Sequence, residues 1–581
     1  MKRRSFLQST AAVSTAALLG SMSGVAKGTT LEKGGSPMFL DREKIRHRNQ
    51  NRSTVACQNG VVCASQPLAA IAGLDTLKAG GNAVDAAVCT NAMLSVVEPM
   101  SCGPGGDLFA ILWIEKDRKL YGLNASGRSP YGWNLEKAKE LGLDSIPAYE
   151  PLAWSVPGCV SGWDALLGRF GTRTLERILE PAIRYAREGF PVSPLIASGW
   201  SFDAAKYPTL AETFLPDGRP LQFGEIGRNP QLAAFYEILA RNGAEAFYRG
   251  EVAERIVKFS KANGGLFSMR DFEEHEPNWV EPATSSYRGY DVWEIPPNGQ
   301  GIAVLQILNI LERFDVGALE PDSPEYLHLF IEAKKLVYED RATFYADMDF
   351  ADVPLDWLIS KEYARERATL VDPKKASMEV RPGIPPDGSN TVYLTAADRE
   401  GNMISLIQSI YHGWGSHIVP DRLGFPLQNR GTSFALDPKH FNRLEPHKRP
   451  FHTIIPGFVT KEGQPVFSFG VMGGDMQPQG QCQVLMNLVD FRMSPQQAGE
   501  QPRVQHFDSS DPDGGKRVAG GSVGLELGFP DSVRTALVAM GHRVKEGVGA
   551  FGGYQGIWRG EDPRRYFAGS DPRKDGCAVA Y

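Results

Sequence analysis

The chain holds 581 residues, with 62 Lys+Arg against 68 Asp+Glu for a formal charge of −6, 42% hydrophobic and 22% charged residues. That balance is ordinary for globular protein and excludes a disordered, collagen-like or low-complexity chain. A negative total with no dense Lys/Arg stripe excludes nucleic acid as the partner. At about 100–200 residues per domain, the length allows two to four domains or one large layered one.

Met1-Lys2-Arg3-Arg4-Ser5-Phe6-Leu7 is followed by an apolar run from Ala11 to Leu19 and a small-x-small site at Gly24-Val25-Ala26. The pattern is similar to a twin-arginine export signal, residues 1–26. Its apolar run is shorter than the ~20 residues a bilayer needs. The expectation is a periplasmic or secreted protein with no membrane attachment once the signal is gone. Those 26 residues hold three basic and no acidic side chains, so the remainder carries −9. Seven cysteines, an odd number with no CxxC or Cys/His ligand spacing, support neither a disulfide scaffold nor a zinc site. Cys57 and Cys63 are close enough to pair or to stay free.

Ser65 to Leu77 has helical spacing and stops at Gly80-Gly81; Asn82 then caps a second helix, Ala83 to Val97, ended by Pro99. The turn Gly103-Pro104-Gly105-Gly106 feeds a buried strand from Leu108 to Trp113. It lacks the Lys-Ser/Thr of a phosphate loop, so tight backbone turning explains it. Helical spacing runs from Leu175 to about Arg255 and from Ile302 to Arg367, with a strand-like alternation over Tyr287–Ile295 between them. After a Pro/Gly/Asp-rich loop from Arg381 to Asn390, β-type alternation is expected to dominate. Asp508 to Gly514 lacks the spaced carboxylates and terminal Glu of a calcium loop and reads as a solvated turn.

Thr391–Ala397 and Met403–Ile410 are two strand-like runs joined by Asp398-Arg399-Glu400-Gly401-Asn402, which has strong turn chemistry. If Asp398 pairs with Asn402, Ser409 lies opposite Thr391 with Cβ atoms ~4.5–5.5 Å apart; a bulge would shift this by one residue. Taken alone, that is a hydroxyl pair on a sheet.

The run from Asn390 and Thr391 to Asn402 resembles the start of the small subunit of γ-glutamyltranspeptidases. Gly80 to Ala87, Val97 to Gly106, Pro296 to Gly301, Met472-Gly473-Gly474 and Ser570 to Gly576 resemble blocks of that family in the family's order. The resemblance covers nearly the whole chain beyond the signal. It implies an α+β fold, the αββα sandwich of N-terminal-nucleophile hydrolases, with two antiparallel sheets between helical layers. It also implies a precursor that cuts itself between Asn390 and Thr391 into a large subunit, 27–390, and a small one, 391–581, of 364 and 191 residues. A mid-chain threonine has no amine to activate it; the cut frees one, with an unperturbed pKa of ~7.7–8.0, so Thr391 becomes both nucleophile and base. Ser409 stands where the family carries a second hydroxyl residue, and Gly473 and Gly474 match the glycine pair whose N–H groups bind the oxyanion. The resemblance implies no metal and no cofactor.

Substrate positions depart from the family pattern. Aligned from Thr391, the family's Asn, Gln/Glu and Asp that hold a glutamyl α-amino group become Tyr411, Arg430 and Ser433, and its paired serines become His452-Thr453. Ser126 stands at the position of the large-subunit arginine, with Arg128 two residues later as its replacement. An ammonium group facing Arg430 loses a charge-assisted bond and meets like charge. The departures resemble the acylase-like branch, which includes an oxamate amidohydrolase and cephalosporin acylases. The expectation is a hydrolase or acyl transferase working through an acyl-threonine, with water or an amine as acceptor. Its substrates are γ-glutamyl compounds such as glutathione or, favoured by Arg430, Arg128 and His452, amides of another small anionic acyl group. The alternative is a periplasmic binding protein that keeps the fold and stays one polypeptide.

Overall fold

The computed structural model describes residues 52–380, 390–515, 518–545 and 551–581, with 390–392 as backbone alone. The expected signal, 1–26, and the loop expected from Arg381 lie outside the described residues, save Asn390. In chain order the strands of two large sheets are β1 (Val55–Cys57), β2 (Gly60–Ala64), β3 (Asp107–Ile114), β4 (Lys119–Ala125), β5 (Asn278–Val280), β6 (Ala283–Tyr287) and β7 (Tyr290–Glu294). They continue as β8 (Asn390–Asp398), β9 (Met403–Tyr411), β10 (Gly457–Lys461), β11 (Gln464–Met472), β12 (Gly553–Arg559), β13 (Tyr566–Ser570) and β14 (Cys577–Ala580). One sheet runs β14-β2-β8-β9-β3-β4-β5 and the other β1-β13-β12-β11-β10-β7-β6, antiparallel throughout.

Period-two alternation sorts the side chains into layers. On β8 and β9, Leu394, Ala396, Ile404 and Leu406 face a helical layer containing α1 (Pro67–Lys78), α2 (Ala83–Val97) and α3 (Cys159–Phe170). Their neighbours Tyr393, Ala397, Met403 and Ile407 join Phe458, Met472 and Ile557 in a core between the sheets. On the second sheet, Phe467, Phe469 and Val471 pack the other way, with α4 (Ile302–Leu311), α5 (Pro324–Phe344) and α6 (Met476–Val489). Helix, sheet, sheet, helix is the αββα sandwich.

Local signals act where expected. Asn82 Oδ1 accepts from the N–H groups of Val84 and Asp85 while Asp85 Oδ2 accepts from the Asn82 N–H at 2.9 Å, a capping box that starts α2. The glycine turn before β3 is a matter of space: a Cβ on Gly106 would lie 2.1 Å from the Ser409 carbonyl oxygen. All seven cysteines, Cys57 and Cys63 included, are free thiols.

Two stretches differ from expectation. Tyr287–Ile295 is not one strand: β6 ends at Tyr287, Arg288 and Gly289 turn with φ of 51° and 83°, and β7 returns from Tyr290. Past Thr391 the chain is less strand-rich than expected, since it holds the 14-residue α6 and a helix Asp531–Ala539. Gln477, Gln479, Gln481 and Gln483 mimic strand alternation, yet in α6 all four are buried and hydrogen-bonded: Gln481 Nε2 donates to the Ile455 carbonyl (2.8 Å) and Gln483 Oε1 accepts from the Val504 N–H (2.9 Å). Among the described residues no helix is long and apolar enough to cross a membrane.

Candidate active site

The β8–β9 hairpin keeps the expected register from Ala397 opposite Met403 up to Val392 opposite Gln408, and the Asp398 N–H bonds the Asn402 carbonyl at 3.1 Å. Beyond Val392 it slips by one residue, so that Asn390 pairs with Tyr411 and Thr391 sits in a bulge rather than directly opposite Ser409. Ser409 is fully buried, with Asp107 of β3 as its neighbour across the sheet. Tyr411 leaves the strand at φ 77°, and its N–H donates to Ser409 Oγ at 2.9 Å.

The short turn Arg430–Ser433 brings a guanidinium to this end of β9. Arg430 Cζ lies 3.9 Å from the centre of the Tyr411 ring; Nη1 donates to Thr453 Oγ1 (2.9 Å) and Nη2 to Ser409 Oγ (3.4 Å). Arg430 is 0% exposed, its Nε has no partner, and among the described residues it makes no ion pair. Burial lowers its pKa to about 10, against the opposing pull of Tyr411 and Asp107. Ser433 is buried in the same turn.

Asp107 organises the neighbouring backbone. Its Oδ1 accepts from the N–H groups of Gly127 (2.9 Å) and Gly158 (3.1 Å) and from Gln428 Nε2 (2.8 Å), while Oδ2 meets His452 Nε2 at 3.0 Å. The Ile454 N–H donates to His452 Nδ1 at 3.3 Å, which puts the ring proton on Nε2. Burial, then the charge of Arg430, lowers the His452 pKa to about 4, so the ring is neutral. Both nitrogens are spent inside the protein. This corrects the expectation that His452 meets an anionic substrate: its partners are Asp107 and the Ile454 N–H.

Arg128 likewise departs from expectation. Its guanidinium lies 3.2 Å from Asp347 and 3.0 Å from Asp349 and also donates to the His447 carbonyl, so two carboxylates already balance its charge. It does not offer the free cation that replacing the family's arginine would require.

Gly473 and Gly474 link β11 to α6 with φ of 120° and 58°. Their carbonyls accept from the N–H groups of Met476 and Gln477, each at 3.0 Å. Among the described residues no group accepts from their own N–H donors, which sit beside the electropositive N-terminus of α6. Gln300 Nε2 donates to the carbonyls of both Gly474 (3.0 Å) and Thr453 (2.7 Å), tying the glycine pair to the Arg430 side. Arg341, fully buried on α5, donates to Gln300 Oε1 and to Asp475 Oδ1, each at 2.6 Å, and pairs with Asp511 at 3.0 Å. Gln300, Arg341, Asp475 and Asp107 were not singled out from sequence. Gln300 and Asp107 lie in or next to the glycine blocks, but spacing does not reveal which distant carbonyl or amide each reaches.

Among the described residues one cluster has metal-ligand chemistry, His328, Glu332 and His542. His328 Nε2 contacts the Asp372 carbonyl (2.7 Å) and Nδ1 contacts His542 Nε2 (2.8 Å). Glu332 is held from outside the cluster by Lys335 (2.7 Å) and the Ser377 N–H (3.0 Å), and His542 Nδ1 is buried without a hydrogen-bond partner.

Residues 69–581 match the family model for gamma-glutamyltranspeptidase. The chain is 38% identical over 537 residues to the glutathione hydrolase-like YwrD proenzyme of Bacillus subtilis (strain 168), covering 91% of this chain and 99% of that protein. It is 34% identical over 510 residues to the acylase ACY 1 proenzyme of Pseudomonas sp. (strain V22), covering 86% and 89%. The crystal structure of cephalosporin acylase from Bacillus halodurans matches with a TM-score of 0.84 at 42% identity, over 94% of this chain and 99% of that one. The chain therefore belongs to the gamma-glutamyltranspeptidase family, as a hydrolase of its acylase-like, N-terminal-nucleophile branch.

Proposed function

We propose that the chain is the precursor of a threonine-dependent hydrolase for amides of a small anionic acyl group, activated by cutting itself between Asn390 and Thr391. That both relatives are proenzymes supports processing. The Thr391 hydroxyl attacks the Asn390 carbonyl, the acyl group shifts from nitrogen to oxygen, and water opens the ester. This leaves the Asn390 carboxylate and a free α-amine on Thr391. That amine then takes the hydroxyl proton as Thr391 attacks substrate and passes it to the departing amine; water, or a second amine, opens the acyl-threonine. Ser409 orients the nucleophile, and the Gly473 and Gly474 N–H groups hold the oxyanion, a donor of this kind supplying ~2.7–4 kcal/mol in the transition state.

The observation that carries the acyl preference is Arg430, a fully buried guanidinium without an ion pair among the described residues. A buried charge is stable only when partnered, so a carboxylate arriving with the substrate completes the site. Tyr411, Ser433 and Thr453 frame that carboxylate. An α-ammonium at the same place meets like charge, which favours glutaryl-type over γ-glutamyl amides. The pattern of residues 1–26 supports export by the twin-arginine route.

Denaturing electrophoresis with intact mass tests processing: fragments of 364 and 191 residues if the signal ends at Ala26, and an intact chain in Thr391→Ala. Anilides of glutarate, oxamate and γ-glutamate then test specificity. Preference for the γ-glutamyl anilide refutes the acyl assignment, and a folded single polypeptide without amidase turnover refutes the whole reading in favour of a binding protein.

A further inference from the structure

On α5, His328 and Glu332 stand four residues apart and share one helix face. His542 meets that face from a distant part of the chain. The helix Asp531–Ala539 ends at Gly541 with φ of 101°, and the returning chain bonds the His542 N–H to the Leu537 carbonyl at 3.0 Å. We infer that His328, Glu332 and His542 bind one divalent transition-metal ion of the Zn²⁺ type, and that this ion fastens the two subunits together. The site stands on the three side chains themselves. Only the fastening rests on the proposed cut before Thr391, which puts His328 and Glu332 in one subunit and His542 in the other. No ligand spacing signals the site in sequence, because 214 positions separate the two histidines.

The ring nitrogens are arranged for an ion. His328 Nε2 donates to the Asp372 carbonyl at 2.7 Å, the kind of backbone contact that fixes the tautomer of a metal-bound histidine and leaves Nδ1 as a lone pair. That lone pair faces His542 Nε2 at 2.8 Å, while His542 Nδ1 is buried without a partner. One proton remains for the neutral His542 ring, and neither position satisfies the pair. On Nε2 it strands the Nδ1 lone pair; on Nδ1 it strands an N–H and sets two lone pairs against each other. A cation between the rings accepts both facing lone pairs and leaves that one N–H as the residual cost. Glu332 supplies negative charge, and one ligand atom from each of the three residues lies within 4.8 Å of the others. An ion about 2.1 Å from each nitrogen sets them roughly 3.3 Å apart, so the histidine pair opens by about half an ångström. Two imidazoles and a carboxylate suit Zn²⁺, Co²⁺ or Cu²⁺ rather than Mg²⁺ or Ca²⁺, which prefer oxygen throughout.

Lys335 is the ion's rival. Its ammonium holds Glu332 Oε1 at 2.7 Å and the Ser377 carbonyl at 3.0 Å, and the Ser377 N–H holds Glu332 Oε2 at 3.0 Å. These bonds orient the carboxylate and leave each oxygen a further lone pair for a metal. The like charge of Lys335 nevertheless opposes the ion, so removing it must strengthen binding. The loop bonded to His328, from Asp372 to Lys375, is exposed and gives an ion its way in.

Titration of the purified, tag-free, chelator-treated enzyme with Co²⁺, followed by visible absorption, reads the site without any substrate. One Co²⁺ should bind per molecule in the micromolar range or tighter, and Zn²⁺ should displace it. His542→Ala should abolish binding, and Lys335→Met should tighten it about tenfold or more. In the second arm, Zn²⁺ should raise the urea concentration at which the large and small subunits separate on size-exclusion chromatography, and His542→Ala should remove that dependence. No Co²⁺ band in wild type, binding that survives His542→Ala, or Lys335→Met binding no tighter than wild type overturns the site. If the chain stays one polypeptide, the Co²⁺ titration still decides the site and the fastening falls with the cut. If the chain is cut and subunit separation ignores Zn²⁺, the fastening is overturned while the proposed hydrolase stands.

Discussion

Replacing Arg430 by methionine should move activity and stability differently, and that separation distinguishes an anion site from a strut of the fold. The guanidinium is fully buried, stacked on Tyr411 at 3.9 Å and bonded to Thr453 Oγ1 at 2.9 Å. With burial lowering its pKa to about 10, holding the charge in the empty enzyme costs about 3 kcal/mol at any pH below about 10. Methionine removes that penalty at similar length. It forfeits the hydrogen bonds to Thr453 and, at a longer 3.4 Å, to Ser409, together about 1–2 kcal/mol, and a cation–π contact of about 1–2 kcal/mol. These contributions nearly cancel, so the unfolding free energy is expected to stay within about 1 kcal/mol of wild type. A bound carboxylate left without its buried partner loses about 3 kcal/mol or more, over a hundredfold in kcat/KM. The assay compares glutaryl anilide with its uncharged analogue, valeryl anilide, alongside urea unfolding of both proteins. The first substrate should lose at least a hundredfold and the second less than about threefold. An equal loss on both, or destabilisation beyond about 3 kcal/mol, refutes the argument and makes Arg430 structural.

Gln300→Leu removes the amide that holds the carbonyls of Thr453 and Gly474, so kcat should fall about 10- to 100-fold with KM within about twofold; a loss confined to KM contradicts its role in setting the glycine pair. Acid should destabilise the fold between about pH 6.5 and 4. His452 and His275, with pKa values lowered by burial to about 4 and about 3, stay neutral there while the unfolded chain binds protons, so stability rises with pH through this window. His452 alone accounts for about 3 kcal/mol by pH 4, and an unfolding free energy that is flat from pH 7 to 4.5 contradicts this. Gly106→Ala places a Cβ 2.1 Å from the Ser409 oxygen and should cost about 3 kcal/mol or more along with activity. Gly168→Ala, in α3 with nothing within 4 Å, should instead stabilise by up to about 1 kcal/mol.

The hairpin that carries Thr391 shows where local chemistry stops being informative. Its turn, from Asp398 to Asn402, determines the pairing of the next six residues because each rung follows from the last, and those rungs were legible. The register slips where the left-handed Tyr411 ends β9, and the ring there stacks under Arg430, which arrives from a loop with no periodicity of its own. Asn82 and its capping box were legible for the same reason as the turn, since every partner lies within three residues. Asp107 is the opposite case: its side chain joins Gly127, Gly158, Gln428 and His452 across as many as 345 positions, so no window of sequence contains the set. Arg430 could be found by counting from Thr391, and its sign alone suggested an anion. Its isolation is what makes that argument quantitative. A charge lacks an ion pair only with respect to everything packed around it, and that property belongs to the assembled sandwich, where Asp107 acts on Arg430 through its field while its oxygens bond His452 and neighbouring amides.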